Sequence, residues 1–111
     1  MNLATIILFV YNRLEHTKKT INSLKENSLA SESNLYIFSD GWKNDNDKIK
    51  VESVRALIKK TEGFKSVSII EREENLGLAN SIIRGVTEII SKSGKVIILE
   101  DDLVTSPYFL Q

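Results

Sequence analysis

Two hydrophobic periods alternate along the chain. Nearly continuous apolar runs, rich in Ile and Val, occupy 4–10 (ATIILFV), 35–38 (LYIF), 67–70 (VSII) and 96–99 (VIIL). Short β-branched runs of this kind predict strands, and the first and last are apolar enough to be covered on both faces. Between the runs the spacing changes to three and four. Leu14, Thr17, Ile21 and Leu24 form one such series, Val51, Val54, Leu57 and Ile58 a second, and Ala79, Ile82, Ile83, Val86 and Ile90 a third. Each series predicts a helix with one buried stripe. Asn44 and Asp45 suit the start of the second helix, and Gly94 suits the end of the third. The single proline, Pro107, follows the last strand. Strand–helix alternation calls for parallel strands joined by right-handed crossovers. The expected fold class is therefore α/β, a Rossmann-like three-layer αβα arrangement around a parallel sheet of about four strands.

Length and charge narrow what such a domain can do. A chain of 111 residues suits one domain, and no repeat, linker or low-complexity segment divides it. Basic and acidic residues balance at fifteen each, so no overall field exists to hold nucleic acid or an anionic membrane. Anion binding must then be local. The absence of cysteine removes disulfides and thiolate metal sites. The longest apolar run, Ile6 to Tyr11, is too short to span a bilayer and lacks the flanks of a signal peptide. No transmembrane segment is expected, and the expected location is the cytoplasm, free or peripheral at the cytoplasmic face of the membrane.

In a parallel sheet, ligands bind beyond the carboxyl ends of the strands. Polar residues follow all four runs: Tyr11-Asn12-Arg13, Ser39-Asp40-Gly41, the stretch from Glu71 to Gly77, and Glu100-Asp101-Asp102. Clusters on one sheet edge point to a binding site. The acidic run is the sharpest. Three carboxylates closing a buried strand repel one another and resist desolvation, and a divalent cation among them reverses that cost. Oxygen ligands suit Mg²⁺ or Mn²⁺, whose shells are commonly completed by substrate phosphates. The bland alternative is a set of helix N-terminal acids, with Ser106-Pro107 opening the helix.

The other strand ends also have two readings. Asp40 before Gly41 fits a tight turn, and its carboxylate could equally accept the ring N–H of a base such as uracil. Arg13 could cap a diphosphate or stack on the base, or simply begin a helix in solvent. Asn75-Leu76-Gly77 leads into the third helix as a cap or as a polar contact. His16, the only histidine, reads as a helix-surface residue.

Taken in order, YNR, SDG, ENLGLANSIIRGV and IILEDD resemble the N-terminal half of family 2 glycosyltransferases. The ending ILEDDLVTSPYFL is also similar to the N-acetylglucosaminyltransferase I family. The resemblance covers essentially the whole chain. It implies a GT-A fold of the nucleotide-diphospho-sugar transferase type, strand order 3-2-1-4, a UDP-sugar donor, Mn²⁺ or Mg²⁺, and inversion at the anomeric carbon. By position, Asp40 would meet the uracil, Val10, Tyr11 and Arg13 would line the uridine pocket, and Asn75 would sit beside it. Glu100 and Asp101 would face ribose or sugar, and Asp102 would bind the metal. Ser39 departs from the pattern, since many family 2 members carry a second Asp there.

In the resembled families the acceptor site and catalytic base lie beyond the position of residue 111. The chain therefore reads as the donor-binding half of a longer catalytic domain, inactive alone. Its last strand and the aromatics Tyr108 and Phe109 would lack neighbours, so self-association is expected. The acceptor, a glycan or lipid hydroxyl, is unspecified. Rivals fit less well. A nucleotidyltransferase needs a Gly-rich loop after the first strand, a dinucleotide-binding domain needs G-x-G-x-x-G there, and a receiver domain needs an acid pair there; YNRLE supplies none. A non-catalytic nucleotide-binding or assembly module of the same fold is the alternative.

Overall fold

The computed structural model describes residues 5–93 and 96–101. Four strands, β1 (Thr5–Val10), β2 (Asn34–Ser39), β3 (Ser66–Glu71) and β4 (Val96–Glu100), alternate with three α-helices, α1 (Leu14–Lys25), α2 (Asp45–Ile58) and α3 (Leu78–Ser93). A short 3-10 turn, Ala30–Glu32, precedes β2. The strands are all parallel, in the order β3-β2-β1-β4. This is the order and fold expected of a GT-A domain.

β1 is central, paired with β2 on one side and β4 on the other, and all six of its residues are buried. Its alternating side chains serve two cores. Ile6, Leu8 and Val10 join Ile21 and Leu24 of α1 and Val54 and Ile58 of α2. Ile7 and Phe9 join Phe38 and Ile89 of α3 on the opposite face. One strand thus holds both helical layers, which is why its sequence is apolar without alternation. Asn44 caps α2 as expected, its side chain accepting from the Asp47 amide at 3.1 Å. Gly94, Pro107 and the aromatic tail lie outside the described residues.

The buried face of α3 differs from the expected one. Its fully buried positions are Ser81, Gly85 and Ile89, whereas Ile83 is 63% and Ile90 46% exposed. The cause is close docking. A Cβ on Gly85 would stand 2.8 Å from the Phe9 ring, so the helix rests on β1 through its smallest residues. Ile83 and Ile90 are turned aside, while Ile89 stays buried. β4 is likewise less covered than its apolar sequence implies, with Ile98 42% exposed on the α3 side. Among the described residues β4 is an edge. No described helix is long and apolar enough to cross a membrane.

Candidate functional site

The carboxyl ends of β1, β2 and β4 and the start of α3 surround a cleft of about 310 Å³. Phe9, Val10, Phe38 and Leu78 give it an apolar part, with the Phe9 and Phe38 rings stacked 5.4 Å apart. Tyr11, Arg13, Asp40 and Asn75 supply polar groups, and Glu100 and Asp101 line it from β4. The structure therefore brings together Val10, Tyr11, Arg13, Asp40, Asn75, Glu100 and Asp101. Asp102 lies outside the described residues. His16 is exposed on α1 and does not line the cleft.

Asp40 organises one wall. It is 8% exposed, and each carboxylate oxygen accepts two hydrogen bonds. Oδ1 accepts from the amides of Gly41 and Leu76, both at 2.9 Å. Oδ2 accepts from the Gly77 amide at 3.0 Å and from Asn75 Nδ2 at 3.2 Å. Asn75 Nδ2 also donates to the Gly41 carbonyl at 2.8 Å. The β3–α3 loop is thus folded around this one carboxylate. Two glycines permit the fit. Gly77 has φ +80°, and a Cβ on Gly41 would lie 2.6 Å from the Glu74 carbonyl carbon. The sequence reading of Asp40 as a free acceptor for a base did not foresee this engagement.

Behind that wall lies Arg55, whose side chain is only 13% exposed. Its Nε donates to Ser39 Oγ at 2.9 Å. Its Nη2 donates to the carbonyls of Arg72 at 2.8 Å, Asp40 at 3.2 Å and Ser39 at 3.3 Å. Nη1 stands 3.7 Å from Glu71 Oε1. Arg55 therefore fastens the ends of β2 and β3 together. Ser39, the departure from the family 2 pattern, is fully buried, binds Arg55, and does not line the cleft.

A second set of bonds holds the loop after β1. Tyr11 donates its hydroxyl to Asp47 Oδ2 at 2.9 Å and accepts from the Lys43 amide at 2.8 Å. Asn12 Nδ2 donates to the other oxygen, Asp47 Oδ1, at 3.3 Å. Burial pushes the Tyr11 phenol above its ordinary value of 10.0. The bond to Asp47 and the charges of Asp47 and Asp40 act in the same direction, while the Lys43 amide opposes them. The folded chain thus keeps the phenolic proton more firmly than the unfolded chain. The associated stability is complete below about pH 10 and is lost as pH rises through the folded value. Alkaline titration by tyrosinate absorbance should show the Tyr11 phenol titrating late. Asp47→Ala should bring it back toward 10.0; an unchanged titration in that variant would remove Asp47 as a cause.

Sequence reasoning missed Arg55, Asp47, Lys43 and Ser81, of which the last two also line the cleft. Arg55 left one signal, a charge within the buried stripe formed by Val51, Val54 and Ile58. Asp47 looked like any acid in a first helical turn.

The arrangement suits a ligand with a flat ring and an anionic tail. The aromatic part can take the ring, and Arg13 offers positive charge to the tail. Glu100 and Asp101 bring carboxylates to the β4 side, immediately before Asp102, the expected metal ligand, and hard oxygens of this class suit Mg²⁺ or Mn²⁺. Such ions need only one or two carboxylates when phosphates complete the shell. Among the described residues no group of three or more candidate ligands gathers. A family model described as Glycosyl transferase family 2 matches residues 5–111. No curated protein matches the chain.

Proposed function

We propose, from the premise that the chain belongs to glycosyl transferase family 2, that the cleft binds a UDP-sugar and presents it for transfer to an acceptor hydroxyl. The observation that carries this reading is the convergence of seven expected residues, from four separate strand ends, on one cleft. The base lies against Phe9, Val10 and Phe38, beside Tyr11 and the wall built on Asp40 and Asn75. Arg13 faces the diphosphate, and Glu100 and Asp101 face the ribose and sugar. Asp102 would hold a divalent cation, Mn²⁺ or Mg²⁺, which when bound would offset charge on the departing diphosphate. As the sugar–phosphate bond breaks, a general base takes the proton of the acceptor hydroxyl. The Glu-Asp-Asp run supports, as part of this proposal, a further likeness to the N-acetylglucosaminyltransferase I family.

Calorimetric titration of UDP with and without Mn²⁺ tests the reading. Asp102→Asn should weaken Mn²⁺-dependent binding tenfold or more, about 1.4 kcal/mol. Lys50→Ala, exposed on α2 and away from the cleft, should not. Equal UDP affinity with and without Mn²⁺ would remove the cation from the mechanism.

A further inference from the structure

Asp40 has two donors on each carboxylate oxygen, all from the protein itself. The polar edge of a bound base therefore calls for another partner. Ser81 lines the cleft, is 6% exposed, and its hydroxyl has no hydrogen-bond partner. Buried polar groups are rarely left so, because the lost hydration is not replaced. The carbonyl of Gly77, one turn back, already accepts from the Ser81 amide. Ser81 also stands just inside the first turn of α3, where the amides of Leu78, Ala79 and Asn80 have no intrahelical carbonyl to meet. The field at such a helix start favours negative partial charge. The stacked Phe9 and Phe38 rings complete the setting.

An unpartnered hydroxyl, a positive helix end and an apolar floor that includes the almost fully buried Phe9 and Phe38 together match a flat ring with a carbonyl oxygen on its edge. Resting on the donor-binding reading above, we propose that Ser81 is a specificity-determining residue: it donates a hydrogen bond to the 4-keto oxygen of the donor's base, the group that an amino pyrimidine replaces with an amine. It thereby favours a keto pyrimidine over an amino pyrimidine. An exocyclic amine at the same place would bring its own hydrogens toward the positive helix end. Thr17 Oγ1, the other buried hydroxyl without a partner among the described residues, does not line the cleft and serves as a control.

The test is calorimetric titration of the full chain with UDP and with CDP, in Mn²⁺. Wild type should prefer UDP. Ser81→Ala should lower UDP affinity about fivefold to tenfold while leaving CDP affinity within about twofold, so the preference collapses. Thermal stability of Ser81→Ala should not fall, because the hydroxyl removed has no partner. Thr17→Val should keep the preference. Wild-type binding of UDP no tighter than CDP, or an undiminished preference in Ser81→Ala, overturns the role of Ser81 and leaves the donor reading standing. Failure of wild type to bind either nucleotide overturns both.

Discussion

Arg55→Met is expected to lower the free energy of unfolding by about 3 kcal/mol, measured by urea denaturation. Methionine can retain much of the packing of the Arg stem, so the loss isolates the guanidinium. That group serves one hydroxyl and three main-chain carbonyls, and it stands near Glu71. Ser39 is fully buried, so water cannot readily replace the lost donor. Arg55→Lys should recover little of the loss, because an ammonium cannot reproduce the planar fork that spans two strand ends. A drop below about 1 kcal/mol would show that these carbonyls find solvent or other donors.

Asp40→Ala should cost about 2–3 kcal/mol and, more tellingly, loosen the β3–α3 loop. The amides of Leu76 and Gly77 lose their acceptor, and Asn75 keeps only the Gly41 carbonyl. Amide hydrogen exchange at Leu76 and Gly77 should quicken at least tenfold, while exchange in β1 should follow global stability alone. Asp40→Asn should fall between wild type and alanine, since one oxygen remains and the new NH₂ confronts donors. Protection of Leu76 and Gly77 at wild-type levels in Asp40→Ala would mean that the loop is held by its glycines and not by the carboxylate.

The sequence disclosed the strands, and its resemblance to family 2 their order, better than the faces of the helices. An apolar run such as Ile6 to Val10 has few alternatives to a central strand. A helix with many isoleucines has several faces to choose from, and Gly85 decided the choice in α3 by admitting the Phe9 ring. A periodicity built on large residues cannot register a stripe of small ones. The cleft residues were legible because strand ends define a site before any side chain is placed. The bonds among them were not, since Asp40 meets Leu76 and Gly77, and Tyr11 meets Asp47, across more than thirty positions. Arg55 and Asp47 sit on a helix that sequence reading used only for packing.

The bonds around Asp40, Arg55 and Asp47 come from β1, β2, α2, β3 and the β3–α3 loop. None of these bonds uses β4, which brings Glu100 and Asp101 to the cleft from the opposite side of β1. The Asp40 side and the β4 side are thus separate modules meeting at a seam. Substitutions on the two sides should combine additively in stability. Under the proposed donor reading, a lineage could then exchange its sugar chemistry at residues 100 and 101 while keeping its nucleotide, with no compensating change in the framework around Asp40.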